Sequence, residues 1–254
     1  MRYRYEFVTR SEFAPAVGWH FFKLRVQPME SVALRCVSGC VEVAPHAELG
    51  HAVDAFGNRV IYGSVGVGHD FFEVRSTGVV VCDEGVLVRD DAPGEFYRYA
   101  SGLTGWDAVL RERVWGLDAV WIMHVVHGSL GYERFVTDNA TSALGALRGG
   151  RGVCQDFAHV MIAACRSVGM LARYVCGLIV GEGESHAWVE VYVDGAWQPL
   201  DPTYDRRVGV GYIKIAHGRD AGDCALNRGR FFGVTSEFMC VKCCVDYDSN
   251  CDFA

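Results

Sequence analysis

Alternation of apolar and polar positions dominates the first third of the chain. Runs at period two, or rich in β-branched and aromatic residues, cover Arg2 to Val8, Phe21 to Val26, Ser31 to Val43, Arg59 to Tyr62, Phe71 to Val74 and Gly78 to Val81. Turn-forming clusters separate them: Ala44-Pro45-His46, Asp54-Ala55-Phe56-Gly57-Asn58 and Gly66-Val67-Gly68. Short strands at this spacing predict a small β-sandwich-like domain over residues 1–98. The period changes after Ala92-Pro93-Gly94. Leu103 to His127 carries apolar residues at helical spacing without proline, predicting one or two helices broken near Gly116. Thr141-Ser142-Ala143-Leu144 predicts a short helix capped by Thr141.

A further helix is expected from Cys154. Phe157, Val160, Met161, Ala164 and Val168 make its apolar stripe, with Gly169 just past its end. Strands then follow at Arg173 to Val180, Ala187 to Val193 and Ala196 to Leu200, the last two joined by the hairpin signal Asp194-Gly195. Tyr212 to Ala216 and Phe238 to Val245 complete the pattern. Residues 99–254 thus read as an α+β core behind the β-rich domain.

Three segments supply candidate chemistry: Arg151 to His159, Ser185 to Glu190, and Trp197 to Thr203. They offer a thiol, an imidazole and a carboxylate, Cys154, His186 and Asp201, in the combination used by cysteine nucleophiles that attack acyl carbons. The thiolate is the reactive form of cysteine, and a helix start favours an anion. Cys154 stands there. His186 and Asp201 flank the predicted hairpin, roughly opposite each other with about one or two residues of stagger. An aspartate so placed can hold one ring nitrogen while the other serves the thiol.

Composition narrows the setting. The 254 residues are 50% hydrophobic and 22% charged, as in folded globular proteins. A net charge of −7 opposes nucleic-acid binding, since no basic surplus exists to neutralise phosphates. Apolar runs fall short of the roughly 20 residues that span a bilayer, and the first residues lack a signal-peptide core, so a cytoplasmic protein without a membrane partner is expected. Eleven cysteines in such a chain read as reduced thiols. Cys165 and Cys176 sit in apolar runs and are read as structural. Cys240, Cys243, Cys244 and Cys251 lack a second matched ligand pair, and His46 with His51, or His124 with His127, lack a third ligand. No metal and no cofactor is therefore assigned.

The segment from about Thr137 to Thr203 resembles the core of the bacterial transglutaminase-like superfamily, relatives of papain-fold peptidases. Gly152 to His159 matches its nucleophile motif, His186 to Val191 its histidine strand, and Trp197 to Thr203 its aspartate segment. The resemblance implies Cys154 as nucleophile, His186 as general base and acid, and Asp201 as orienting carboxylate, on a papain-like α+β core. Asp54 to Asn58 resembles a turn of the β-rich N-terminal domain of these proteins, and Gly218 to Asp223 their loop after the core. Cys224-Ala225-Leu226, where the family usually has prolines, and the cysteine-bearing tail depart from it. The expected activity is hydrolysis of a peptide or protein amide through a thioester. Transfer to an amine, or a catalytically silent interaction module, are the alternatives. The Cys154 amide is one expected oxyanion donor, with Trp115, Trp121 or Tyr132 as the second.

Overall fold

The computed structural model describes residues 1–90, 92–181 and 183–248. In chain order the first strands are β1 (Arg2–Val17), β2 (His20–Leu24), β3 (Leu34–Ala44), β4 (Leu49–Val53), β5 (Arg59–Val65), β6 (His69–Cys82) and β7 (Val88–Arg89). Then come α1 (Ala108–Val114), α2 (Ala119–His127), β8 (Gly131–Tyr132), α3 (Ala143–Gly149), β9 (Arg151–Gly152) and α4 (Cys154–Ser167). The chain closes with β10 (Ala172–Ile179), β11 (His186–Val193), β12 (Ala196–Asp201), β13 (Arg206–Arg207), β14 (Tyr212–Gly218), β15 (Asn227–Phe231) and β16 (Ser236–Tyr247).

Two antiparallel sheets, ordered β16-β1-β6-β3 and β15-β2-β5-β4, make the sandwich. Their inner faces meet through aromatic side chains, with Phe22 of one sheet 4.8 Å from Phe72 of the other between ring centroids. β1 and β6 are longer than the alternation predicted. Two predicted strands, Phe71 to Val74 and Gly78 to Val81, merge into β6, and at Gly78 Tyr5 and the β3 backbone approach closely. A Cβ there would lie 2.4 Å from the Ser38 carbonyl oxygen and 2.8 Å from the Tyr5 ring. β4 had no clear alternation to announce it.

The tail is the larger difference. Residues 227–247, grouped by sequence with the core, hydrogen-bond as β15 to β2 and as β16 along nearly the whole length of β1. Conversely, β7 pairs with β12 of the core sheet. Such long-range pairings leave no local mark in a sequence.

The core sheet runs β13-β12-β11-β10-β14, and α4 packs against it. α4 was read as amphipathic, yet every residue from Asp156 to Ser167 is buried. It is a central helix, covered by the sheet on one side and by α1, α2 and α3 on others. Its polar members are therefore bonded internally. Arg166 donates to the carbonyls of Tyr97, Ala172 and Arg219 and to Thr104 Oγ1, at 2.7 to 2.9 Å. Gly116, at φ +78°, separates α1 from α2 as expected. Ser142, not Thr141, caps α3: its Oγ accepts from the Gly145 amide, while Thr141 is committed to Asp138. Among the described residues no helix is long and apolar enough to cross a membrane.

The β4–β5 turn joins sandwich to core. Asp54 accepts from the Phe56 and Asn58 amides and from Arg25. Fully buried Asn58 exchanges two 2.8 Å hydrogen bonds with the backbone of His217 in β14. Asn58→Ala would strand that buried amide and carbonyl. We expect a loss of about 1–3 kcal/mol in denaturant unfolding, against little change for Asn139→Ala on the surface.

Candidate active site

Local sequence dictates how α4 begins. Val153, its N-cap, is extended and has no side-chain acceptor. Asp156 compensates by turning back, its Oδ2 accepting from the Val153 amide at 2.8 Å and from Thr137 Oγ1 at 2.6 Å. That return requires glycine at 152, since a Cβ there would stand 2.7 Å from Asp156 Cβ. Burial pushes the Asp156 carboxyl up, against these hydrogen bonds. The result is a half-buried Cys154 in the first turn, where backbone amides lack intrahelical acceptors and the helix dipole favours negative charge.

His186 and Asp201 come from the hairpin. Asp194 and Gly195 both take left-handed backbone angles, φ +52° and +79°, as a type I′ turn needs. The register pairs Val189 with Leu200, which places Asp201 opposite Trp188 and two residues from His186 on the same face. The stagger is the expected one, and the side chains span it: His186 Nε2 lies 2.8 Å from Asp201 Oδ2. The Cys154 side chain is a second neighbour that favours the charged ring, and the remaining ring nitrogen, Nδ1, is available to it. Burial alone would depress the imidazole. The Asp201 hydrogen bond and the neighbouring Cys154 outweigh it and raise the pKa to about 9. An imidazolium at neutral pH is the form that supports an adjacent thiolate.

Asp201 has no solvent exposure, and four donors hold its charge. Oδ1 accepts from the Thr203 and Tyr204 amides at 2.9 and 3.3 Å, and Oδ2 from His186 and from Tyr212 Oη at 2.7 Å. Burial would raise the carboxyl, but the His186 contact and the other donors bring it below the usual range. Tyr204 stacks on the His186 ring at 5.3 Å with 17° between planes, and Arg206 lies over Tyr204 while donating to Tyr212 Oη. Gly177, paired with His186 across β10–β11, leaves room for Trp188: a Cβ would fall 2.4 Å from that ring.

Helix α2 steadies the loop after Asp201. His124 Nδ1 bonds Asp205 Oδ1 at 2.5 Å, and His127 Nδ1 bonds the Pro202 carbonyl at 3.1 Å. The two histidines weighed as metal ligands thus serve loop geometry. Among the described residues no group of three or more His, Cys, Asp or Glu is arranged to hold a metal ion. Cys251 lies outside the described residues. Tyr204, Tyr212, His124 and His127 were missing from the sequence reading of the site. Tyr204 alone had a signal, its adjacency to Asp201-Pro202-Thr203.

A cleft of about 420 Å³ adjoins the pair, lined by Gln155 and Ser185, the neighbours of Cys154 and His186, and by Cys176 and Asn139. Phe7 and Met239 of the sandwich form its far wall. Of the three suggested second oxyanion donors, Tyr132 lies on β8 beside Gly152, two residues before Cys154. Trp115 and Trp121 are largely exposed, packed against Arg111 and His124.

Comparison with known proteins agrees with this architecture. The transglutaminase-like superfamily profile matches residues 117–202, and that of the bacterial transglutaminase-like N-terminal region matches residues 3–81. The chain thus combines a transglutaminase-like superfamily core with a bacterial transglutaminase-like N-terminal region. An uncharacterised protein of Mycobacterium leprae is 40% identical over 114 residues, 41% of this chain and 40% of its own length, so that match spans less than half of the relative. An uncharacterised protein of Mycobacterium tuberculosis is 25% identical over 296 aligned positions, covering 96% of this chain and 92% of its own. A crystal structure of a candidate cysteine protease from Cytophaga hutchinsonii shares the fold, with TM-score 0.81, 24% identity, and coverage of 98% of this chain and 92% of that one.

The raised His186 pKa has a definite sign. Its contribution to stability is complete below the ordinary histidine value of about 6.5 and is lost as pH rises through about 9. The depressed Asp201 carboxyl contributes above the ordinary carboxylate value and is lost as pH falls through its folded value. By NMR the His186 ring should titrate near pH 9, with the midpoint moving down in Asp201→Asn. An unshifted midpoint in that variant contradicts the pairing.

Proposed function

We propose that this protein is a cysteine-nucleophile hydrolase of peptide or protein amides. The observation that supports the reading is the placing of His186, bonded to Asp201 through Nε2 at 2.8 Å and neighboured by Cys154 at the start of α4. In this reading the Cys154 sulfur attacks the carbonyl carbon, and electrons move to the carbonyl oxygen. The Cys154 amide at the helix start is a donor suited to receive that oxyanion. His186 then protonates the departing amine, a thioester remains on Cys154, and water activated by His186 releases the acid. Asp201 keeps the ring in the orientation and tautomer that both steps need. The cleft beside Gln155 and Ser185 is the natural place for the acyl portion.

Hydrolysis and transfer share every step up to the thioester and part only at the acceptor. Peptide substrates with and without glutamine, offered with a fluorescent primary amine and read by mass spectrometry, distinguish them. The expected result is cleaved or deamidated peptide, with Cys154→Ala inactive and Asp201→Asn reduced roughly 10³–10⁴-fold. Predominant amine incorporation would make the protein an acyltransferase instead. Turnover unchanged in Cys154→Ala would overturn the reading altogether.

A further inference from the structure

The face of the core sheet turned away from α4 carries a second constellation. Ala187, Val189 and Val191 of β11 join the main core with α4, whereas the alternate residues Trp188 and Glu190 point to the other side. There Trp188 packs with Val175, Ile179 and Tyr212, and Trp197 packs with Tyr97 and Leu171. Between these two small apolar clusters lies a buried charged group. Glu190 Oε2 accepts from Arg173 Nε at 2.6 Å and from Lys214 Nζ at 2.7 Å. Arg173 also lies 3.9 Å above the Trp197 ring, with Nη1 3.4 Å from His217 Nε2.

This group is not electrically balanced. Burial and the two nearby cations drive His217 down to about 2, so it is neutral and accepts from Arg173. Within this group two cations therefore share one carboxylate, leaving one positive charge in excess, while Arg89 and Asp90, which also line the cavity, add one charge of each sign. Lys214, brought to about 8 by burial and Arg173, remains mostly protonated at neutral pH. Its side chain is the more open of the two, 15% exposed against 7% for Arg173. An ammonium has three donors, of which Glu190 takes one. The indole Nε1 of Trp188, in a residue only 2% exposed, has no hydrogen-bond partner. Buried charge and unpaired buried donors both cost stability, and an acceptor-bearing anion would relieve both.

Directly over this group is a cavity of about 810 Å³, within the range of small-molecule sites. Arg173, Trp188, Glu190, Lys214 and His217 line its floor. Val32 in the loop before β3, Leu34 at its start, and Val86 and Leu87 in the segment before β7 form its apolar roof. The Met29 amide donates to the Lys214 carbonyl, fixing roof to wall. Glu30 and Asp83 stand at the exposed rim in solvent. A single excess cation, an unpaired donor and apolar walls match one carboxylate on an aromatic or aliphatic body, and the acidic rim disfavours polyanions. We propose that this cavity is a second binding site, separate from the Cys154 cleft, for a small organic monocarboxylate, whose anionic group engages Lys214. Its walls adjoin the other site: Tyr212, which lines the cavity, donates to Asp201.

The test is calorimetric titration of the full chain with 1-naphthylacetate and with its uncharged amide. Expected is saturable one-to-one binding of the acid, with the amide at least tenfold weaker. Lys214→Met, which leaves Glu190 paired with Arg173, should weaken the acid at least tenfold, and Lys214→Arg should restore it. Cys154→Ala and alkylation of Cys154 should leave binding unchanged, which separates this site from the catalytic reading. Absence of saturable binding to the folded protein, equal affinity for acid and amide, indifference to Lys214→Met, or competition with Cys154 alkylation would each overturn the proposal.

Discussion

A carboxylate with no access to water must be surrounded by donors, and the arrangement around Asp201 follows from that requirement. Its four acceptor contacts reach into three pieces of chain: the β11 histidine, the turn that follows β12, and Tyr212 at the start of β14. Removing one donor leaves a partly unsatisfied buried charge, a far larger penalty than the net worth of the bond lost. The ring of His186 is consequently held in one plane, with Tyr204 against its face. Its Nδ1 is left for Cys154. In the proposed reaction, the thiol is thus linked to the burial of a group that never touches it.

The other half of the site depends on α4, and α4 is held by groups that satisfy themselves internally. Asp156 substitutes for the missing N-cap acceptor, and Arg166 ties the far end to three backbone carbonyls. Being buried on all sides, the helix cannot shift without disturbing every layer around it. The sandwich participates rather than merely preceding the core. It supplies the far wall of the cleft through Phe7 and Met239, and it is locked to β14 by Asn58. Because β16 runs alongside β1, the last strand helps to build the first domain.

Much of this was legible in the chain where local rules operate. Asp194-Gly195 specifies a tight hairpin, and counting residues from it places His186 and Asp201 within reach. The glycine-flanked start of α4 and the break at Gly116 are equally local. What escaped was non-local. Tyr212 reaches Asp201 across the mouth of the sheet, and no periodicity announces a partner chosen by tertiary proximity. The pairing of β16 with β1 joins the two ends of the chain. Residues 75–77 fall between two predicted strands, although β6 runs through them without a break. Thr141 and Ser142 are both competent caps, and only the commitment of Thr141 to Asp138 decides between them.

In the proposed mechanism Cys154 is an activated thiol because His186, held by Asp201, is its partner. The most direct measurement is the pH dependence of iodoacetamide alkylation at Cys154, followed by peptide mapping, in wild type and in His186→Ala. Expected is a wild-type rate that stays high well below pH 8 and falls to that of an ordinary thiol in the variant. A wild-type profile matching a free cysteine, and unchanged by the substitution, would contradict it.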